Sequence, residues 1–313
     1  MRVIVAGLGV QGHKRRAFAG ADFVAAVDPV NPEAEFRRIE DVPVGHYDAV
    51  LACVPDAPKV QLIRYCIDNK KHVLVEKPLW AEHDDDIVEL QDRARRAGVI
   101  CYTAYNHRFE PHYLRMRELI ASGELGRIYS CRMFYGNGTA RLVRDSVWRD
   151  HGAGVLPDLG SHLLDTCRFW FGDIGDDFSV ISARAFENRA PDHVVISNER
   201  GAVRIELEMT LLMWRNHFTC DILAENGTAH ICSLCKWGPA TFTHRRRVLP
   251  SGRPPEQSIT LVQDDPTWGL EYAHFTALCS GSAETDLTSD LWLQRTLGRI
   301  GKDALARADK ASQ

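Results

Sequence analysis

Short apolar runs alternate with helix-like segments through the first third of the chain. The runs hold almost no polar side chains, as is typical of strands buried on both faces of a parallel sheet. Helix-like segments follow them, one ending near residue 19 and others covering residues 59–69 and 84–97. This alternation predicts an α/β fold with a doubly wound parallel sheet. The apolar runs are residues 2–6, 23–27, 48–53, 72–75 and 99–103.

In the second part of the chain, apolar positions alternate with polar ones, as is typical of half-buried antiparallel strands. Asn226-Gly227 lies between two such runs and predicts a tight hairpin turn. Residues 236–268 are rich in proline, glycine and charge, and we expect irregular strands and loops there. We therefore expect an α/β domain over residues 1–120 and an α+β domain over residues 121–313. The alternating runs are residues 128–135, 178–186, 193–198, 202–211 and 217–223.

The 313 residues have an ordinary globular composition, with 45% hydrophobic and 26% charged residues and a formal net charge of -4. This charge gives no basic field that would attract nucleic acid or acidic lipid. No apolar run reaches the roughly 18 residues of a membrane span, and the chain begins with a predicted strand, so we expect no membrane segment and no signal peptide. Nine scattered cysteines fit reduced thiols in the cytoplasm better than a disulfide framework.

One short segment resembles half of a zinc site. It contains Cys232 and Cys235, with His230 nearby. Structural zinc sites take four ligands, and no second pair of cysteine or histidine residues at ligand spacing completes this set. We therefore expect no metal.

A glycine-rich turn, Gly7 to Gly12, follows the first predicted strand and opens a helix, and the second strand ends in Asp28. A GxGxxG turn in this context, with an acid about 20 residues further on, is typical of dinucleotide binding. The glycines allow a tight turn and a close approach of the pyrophosphate, and the helix N-terminus offers N–H groups to the phosphates. Asp28 would accept hydrogen bonds from the ribose. No arginine follows it directly to hold a 2′-phosphate, which favours NAD over NADP.

Ligands of doubly wound sheets bind at the carboxyl ends of the strands, so residues just after each apolar run are candidates for the cofactor site. Glu76-Lys77-Pro78 closes one run, and an amine at Lys77 would stabilise negative charge developing on a substrate oxygen. The alternative is a plain exit from a strand. The expected cofactor contacts are Gly7, Gly9, Val10, Gln11, Gly12, Asp28, Cys53, Val54, Pro55, Glu76, Lys77 and Asn106.

A second candidate set lies in an apolar segment that begins at Pro157 and stops at Gly172, both of which suit helix ends. Asp158, His162 and Asp165 are spaced i, i+4 and i+7, so an α-helix would place them on one face. A histidine beside a carboxylate can move a proton near neutral pH. The alternative is that Asp158 complements the helix N-terminus and His162 is a satisfied core histidine.

The segment before this helix, residues 136–154, is an expected substrate-covering loop. It holds Arg141, Arg144, Trp148 and Arg149. Guanidinium groups pair with phosphate or carboxylate, and an indole packs on a sugar ring. The alternative is a polar surface loop with one anchoring tryptophan. The expected substrate contacts are Lys77, Tyr105, Trp148, Arg149, Asp158 and His162.

Together, five motifs in this order and spacing resemble the glucose-fructose oxidoreductase/inositol dehydrogenase (Gfo/Idh/MocA) family. The resemblance implies that Lys77, Asp158 and His162 form the catalytic set. It also implies a Rossmann domain followed by a domain with a large, open, mostly antiparallel sheet, which often forms a dimer or tetramer interface. The motifs are Gly7-Leu8-Gly9-Val10-Gln11-Gly12, Glu76-Lys77-Pro78-Leu79, Tyr105-Asn106-His107-Arg108-Phe109, Ser122-Gly123-Glu124-Leu125-Gly126-Arg127-Ile128 and Asp158-Leu159-Gly160-Ser161-His162-Leu163-Leu164-Asp165.

Two positions depart from the family pattern. Lys59 stands where many members have a histidine, and Cys53 stands where threonine or serine is common. Neither belongs to the implied catalytic set, and both leave the contacts on the nicotinamide side open.

We therefore expect an NAD-dependent oxidoreductase that transfers a hydride between nicotinamide and a secondary alcohol or ketone of a sugar, sugar nucleotide or cyclitol. His162 would take the hydroxyl proton, Lys77 would stabilise the alkoxide, and Asp158 would orient the pair. The alternatives are an NAD-dependent glycoside hydrolase, another small-molecule reductase, and a non-catalytic regulator that senses dinucleotide. We expect a homodimer or homotetramer and no nucleic-acid or membrane partner.

Overall fold

The computed structural model describes residues 1–146 and 149–311. Two compact units make up the chain. The first consists of Met1–Asn106 with Pro266–Gln294, and the second of His107–Asp265 with the residues from Arg295 onward. The predicted boundary near residue 120 lies beyond the first of these stretches, because the residues after Asn106 pack with the second unit.

The first unit is built on a five-stranded parallel sheet in the order β2-β1-β3-β4-β5. All four residues of β1 are buried, as expected for a strand covered on both faces. The parallel α/β sheet predicted for this part of the chain is confirmed. Its strands are β1 (Val3–Ala6), β2 (Phe23–Val27), β3 (Ala49–Ala52), β4 (His72–Glu76) and β5 (Cys101–Ala104).

Helices cover both faces of this sheet. On one face, Ile63 of α2 (Asp56–Asp68) and Leu90 of α3 (Asp84–Ala97) belong to the same hydrophobic cluster as Ile4. On the other face, Phe275 of α7 joins the core that contains Val3. The α-helices of the described residues are α1 (Val10–Ala19), α2 (Asp56–Asp68), α3 (Asp84–Ala97), α4 (Pro111–Ala121), α5 (Ala140–Arg144), α6 (Ser161–Phe171), α7 (Thr267–Ser280) and α8 (Thr288–Ala311).

The second unit contains an eight-stranded sheet in the order β13-β12-β11-β10-β6-β9-β8-β7. Only the β6–β9 pair is parallel within it, so the predicted large, mostly antiparallel sheet is confirmed. The stretch expected to be irregular supplies two regular strands, β12 and the edge strand β13. The strands are β6 (Ile128–Gly136), β7 (Ser179–Arg184), β8 (His193–Asn198), β9 (Arg204–Thr210), β10 (His217–Ala224), β11 (Gly227–Cys232), β12 (Ala240–Arg246) and β13 (Glu256–Leu261).

Aromatic side chains join the helices of the second unit to one face of its sheet. The indole nitrogen of Trp170 on α6 donates to the carbonyl of Tyr113 on α4 at 3.0 Å. The ring of Tyr113 lies 5.4 Å from that of Phe218 on β10, measured between centroids. Burial of these large rings fixes α4 and α6 against the sheet.

The segment expected to be one α-helix from Pro157 onward begins differently. Leu156–Gly160 forms a π-helical turn, and α6 starts only at Ser161. A π turn holds more residues per turn than an α-helix, so Asp158 does not keep the angular position that the i, i+4, i+7 spacing assumed. The predicted end at Gly172 is confirmed, since its N–H bonds to the carbonyl of Arg168 with the glycine at φ 73°. Along the described residues, none of the helices combines the length and apolarity needed to cross a bilayer.

Candidate active site

The turn between β1 and α1 forms a cradle that only glycine allows. Gly7 has a φ of +88°, and a Cβ there would lie 2.4 Å from the carbonyl oxygen of Cys53. A Cβ at Gly12 would lie 2.0 Å from the carbonyl oxygen of Gly7. A Cβ at Gly9 would meet nothing within 4 Å, so this side of the turn is open to an approaching group. The cradle at the start of α1 fits a pyrophosphate.

Asp28, directly after β2, is held by backbone N–H groups. Its carboxylate accepts hydrogen bonds from Leu8 at 2.7 Å and from Val30 and Asn31 at 2.8 Å each. Burial would raise the pKa of Asp28, but these N–H groups outweigh it and lower the pKa. The carboxylate is therefore ionised at neutral pH and fixed beside the glycine cradle.

An arginine that the sequence reasoning missed lies beside Asp28. The exposed Arg37 donates from one guanidinium nitrogen to the carbonyls of Asp28, at 3.2 Å, and Asn31, at 2.7 Å. The expected preference for NAD was based only on the residues that directly follow Asp28 in the sequence. Here the chain loops back after β2, as the parallel bridge between Val27 and Phe36 shows, and brings Arg37 to the same place.

The other expected cofactor residues of the first unit lie at the same edge of its sheet, because parallel strands all end there. Cys53 follows β3, and its amide donates to the carbonyl of Ala6 at 2.7 Å. Burial raises the pKa of the Cys53 thiol, which keeps it neutral. Lys77 follows β4 directly. Beyond β5, the side-chain amide of Asn106 donates to the hydroxyl of Thr267 at 2.8 Å.

Tyr105, expected among the substrate contacts, has only 2% of its surface exposed. The tyrosine belongs to the packed interior in this structure. Its proposed contact with substrate therefore stays a prediction.

In the second unit, His162 packs against a second histidine. The ring of His107 is stacked on that of His162, with centroids 3.9 Å apart. Lys236 Nζ lies 2.8 Å from Nε2 of His107, and the ring of Tyr135 lies 6.3 Å from that of His162. His107 was part of a quoted motif but was not expected in the site, and Lys236 carried no sequence signal.

Asp158 is paired with an arginine of the preceding loop. Arg149 donates to its carboxylate at 3.2 Å, and the two side chains are 32% and 38% exposed. Burial raises the pKa of Tyr135, and the charge of Asp158 raises it further. Arg149, which was expected to bind substrate, is thus hydrogen-bonded to Asp158, which was expected to be catalytic. Trp148 lies outside the described residues.

Asp165, the third polar residue of the helix, is engaged elsewhere. Arg108 holds its carboxylate through two hydrogen bonds of 2.9 and 2.5 Å. Burial raises the pKa of Asp165, while Arg108 opposes that rise. Two of the motifs quoted from the sequence are therefore tied together by a buried ion pair, and this role is structural.

Cys235 and His230 of the half zinc site have other partners. Cys235 donates from its backbone N–H and its thiol to the carboxylate of Glu110, at 3.0 and 2.9 Å. His230 instead bonds to Asp221 at 2.6 Å. Within residues 1–146 and 149–311, no three His, Cys, Asp or Glu side chains are grouped so as to hold a metal ion.

Two family models match the chain. Residues 1–105 match an oxidoreductase family with an NAD-binding Rossmann fold, and residues 113–230 match the GFO/IDH/MocA C-terminal domain. Both matches follow the order of the two parts predicted from the sequence.

Over the aligned regions, curated relatives are about a quarter to a third identical to this chain. The uncharacterized oxidoreductase YrbE of Bacillus subtilis is 27% identical over 175 residues, which are 50% of this chain and 50% of that protein. The scyllo-inositol 2-dehydrogenase (NADP(+)) IolW of the same organism is 28% identical over 266 residues, 83% of this chain and 65% of that protein. The chain thus spans less than two thirds of the length of either relative.

Solved structures extend the likeness in fold to the whole chain. The UDP-N-acetylglucosamine 3-dehydrogenase GnnA from Acidithiobacillus ferrooxidans superposes with a TM-score of 0.82 and covers 98% of each chain. Sequence identity is 15%. At that level the likeness concerns the fold alone.

Proposed function

We propose that this chain, which belongs to the GFO/IDH/MocA family, is an NAD(P)-dependent oxidoreductase that interconverts a secondary alcohol and a ketone on a sugar-like substrate. When bound, the nicotinamide accepts or supplies the hydride. The observation that carries the proposal is the glycine cradle beside ionised Asp28, at the same sheet edge as Lys77. A fold alone hosts many functions, so the argument rests on these side chains together with the family.

The first unit supplies the groups that would hold the cofactor. The N–H groups of the turn from Gly7 to Gly12 would bind the pyrophosphate, and Asp28 would accept from the ribose hydroxyls. The ionised carboxylate of Asp28 would repel a 2′-phosphate, which favours NAD. Arg37 offers a cation at the same place, so we propose that NADP is also accepted, at lower affinity.

Three side chains would carry the proton and charge chemistry. In alcohol oxidation, His162 would take the hydroxyl proton, and Lys77 would stabilise the negative charge developing on the same oxygen. Asp158 would orient these groups, with Arg149 as its partner. In the reverse direction His162 would return the proton. The protein thus supplies position and charge, while the redox change belongs to the cofactor.

A sugar, a sugar nucleotide or a cyclitol is the proposed substrate. The family supports this class, and the matched relative IolW is named for a cyclitol. Arg149 lies beside Asp158 and is one third exposed, so a polyhydroxylated or anionic ligand can reach its guanidinium.

We also propose self-association through the open face of the eight-stranded sheet and a cytoplasmic location. That face carries Phe134 and the half-exposed Leu223 among polar residues. All nine cysteines are free thiols, as a reducing compartment requires. Light scattering on the purified protein tests the association, and a monomer at micromolar concentration would contradict it.

The decisive experiment is a panel of sugars, sugar nucleotides and inositols scored by NADH absorbance, with NADP in parallel. Turnover of one substrate class supports the proposal. Sugar release from a glycoside without net NADH would instead identify a glycoside hydrolase. Tight dinucleotide binding with no turnover of any substrate would identify a sensor.

A further inference from the structure

We propose that Arg15 and Lys59 are positioning residues, two buried cations that hold the residues on either side of Lys77. Arg15 holds the side chain of Glu76, and Lys59 holds the backbone of Pro78. The kinetic part of this proposal rests on the proposed function of Lys77. All the contacts that carry it lie within the first unit.

Arg15 is an unusual residue for the buried face of α1, because it is charged and yet only 1% of its surface is accessible. Its Nε donates to Glu76 at 2.7 Å, and a terminal guanidinium nitrogen lies 2.7 Å from the carboxylate of Glu271 on α7. The ring of Trp268, also on α7, lies 4.4 Å from the guanidinium carbon. Arg15 therefore fixes Glu76 at the end of β4, and Glu271 and Trp268 of α7 hold Arg15 in turn.

Arg15 stays positively charged although it is buried. Burial would lower the pKa of Arg15, but Glu76 and Glu271 outweigh it and raise the pKa. The guanidinium is thus a permanent cation between two carboxylates. Its planar fork can bind both acids at once, which a lysine ammonium does less well because it lacks that geometry.

Lys59 acts on the other side of Lys77. It lies on α2 with 2% of its surface exposed, and its ammonium donates to the carbonyl of Pro78 at 2.8 Å. The same ammonium donates to Asp56, one turn earlier on α2, at 2.7 Å. The side chain of Asp56 is 57% exposed, so it does not form part of the packed interior. The carbonyl of Pro78 is thereby fixed to α2.

Two independent helices therefore fix the residues before and after Lys77. A buried charge is costly unless it is paired and hydrogen-bonded. Arg15 is paired with Glu76 and Glu271. Lys59 is paired with Asp56 and donates to the carbonyl of Pro78. Holding this segment limits where the amine of Lys77 can go. Misplacing a group by about 1 Å costs on the order of 100-fold in rate, so the expected penalty falls on turnover.

The test compares Lys59→Met, Lys59→Gln and Arg15→Lys with Arg64→Met as the matched control. Arg64 lies on α2 and pairs with Asp86 and Glu89, away from β4, so its loss removes an ion pair of the same helix without touching the segment. Purified full-length variants are compared for kcat, KM, NADH affinity by fluorescence, and hydrogen–deuterium exchange of the peptide that spans Lys77.

We expect Lys59→Met to lower kcat by about 100-fold with NADH affinity nearly unchanged. Lys59→Gln, which can still donate to the Pro78 carbonyl, should recover part of this loss. Arg15→Lys, which keeps a charge without the fork, should lower kcat less than Lys59→Met. Exchange around Lys77 should be faster in each of these variants and unchanged in Arg64→Met.

Normal exchange around Lys77 in both Lys59→Met and Arg15→Lys would overturn the proposal, whatever the kinetics. The proposal would also be overturned if Lys59→Met and Arg15→Lys both kept the kcat of the parent protein. If exchange accelerates but the parent protein turns over no substrate of the panel, the positioning role stands and the proposed function of Lys77 fails.

Discussion

The imidazole of His107 lies flat against that of His162, with centroids 3.9 Å apart and ring planes inclined by 18°. Lys236 approaches Nε2 of His107 to 2.8 Å, and an ammonium can only donate. Nε2 of His107 is therefore the acceptor, which leaves the proton of that ring on Nδ1. Because His107 is then neutral, protonation of His162 would not bring two imidazolium rings into contact. This arrangement suits the proposed proton transfer.

Replacing His162 with alanine should therefore lower kcat by about 100- to 10,000-fold, the range typical of a general acid–base group. NADH affinity should change little, because the glycine cradle and Asp28 belong to the first unit. Steady-state kinetics and fluorescence titration check both points. His112→Ala is the matched control, since His112 is buried in the same unit and bonds to the Ala240 carbonyl at 3.0 Å. A His162→Ala enzyme as active as this control would remove the assigned role.

Replacing Lys77 with methionine should lower kcat by a similar factor, because the ammonium proposed to stabilise the negative oxygen is removed. Methionine keeps most of the length and apolar stem, so the fold and NADH affinity should persist. Lys71→Met serves as control, since Lys71 precedes the other end of β4 and donates to the Tyr47 carbonyl. If both variants lose the same small amount of activity, the loss reports packing, and the charge of Lys77 has no special role.

The regular elements were readable from the sequence because each buried run carries its own signal. Strand β2 (Phe23–Val27) and helix α3 (Asp84–Ala97) begin and end where the apolar pattern predicts. In α3 the buried residues Ile87, Leu90 and Ala94 recur at helical spacing, and in β2 the last three residues are buried. Local periodicity is sufficient for such elements.

The supporting side chains of the site were not readable in this way. Arg15 pairs with Glu271, and His107 stacks on His162, across long stretches of chain. A charged residue in a helix predicts an exposed face, whereas Arg15 is buried against Glu271 and Trp268 of α7. The spacing of Asp158 and His162 assumed α-helical geometry, which the π turn changes. Such features depend on tertiary contacts that local patterns do not encode.

Arg149 and Asp158 should be coupled in catalysis but not in stability. Both side chains are about one third exposed, and exposed ion pairs contribute only about 0 to 1 kcal/mol to folding. If Arg149 orients Asp158, then Arg149→Ala and Asp158→Asn remove the same function, and the double variant should be no slower than the worse single one. A double-mutant cycle on kcat/KM, with urea unfolding of each variant, measures both couplings. Strictly multiplicative losses in kcat/KM would show that the two residues act separately.

Arg37 should decide how well NADP is accepted. Hydrogen bonds to charged groups contribute about 1.5 to 3 kcal/mol, so Arg37→Ala should raise the KM for NADP by about 10- to 100-fold. The KM for NAD should hardly change, because NAD carries no 2′-phosphate. Arg38→Ala is the neighbouring control, as Arg38 is exposed and pairs with Glu40. An equal effect of Arg37→Ala on both cofactors would indicate that Arg37 merely supports the loop through the carbonyls of Asp28 and Asn31.

The ion pair of Arg108 and Asp165 should contribute measurably to the stability of the second unit. Replacing Arg108 with methionine leaves a buried carboxylate without its partner, which costs about 3 to 5 kcal/mol. By contrast, Arg93→Met removes a surface pair with Asp68 and should cost about 1 kcal/mol or less. Urea unfolding followed by tryptophan fluorescence compares the two variants with the parent protein.

The deficit of Arg108→Met should also depend on pH with a defined sign. Burial already raises the pKa of Asp165, and loss of Arg108 removes the main opposing charge, so the folded variant binds a proton more tightly than its unfolded chain. Stability therefore falls as pH rises from the unfolded pKa of about 4 through the folded pKa. The deficit should be smaller at about pH 5 than at about pH 7.5. A deficit that is equal at the two pH values would mean that Asp165 stays ionised in the folded variant and is stabilised by groups other than Arg108.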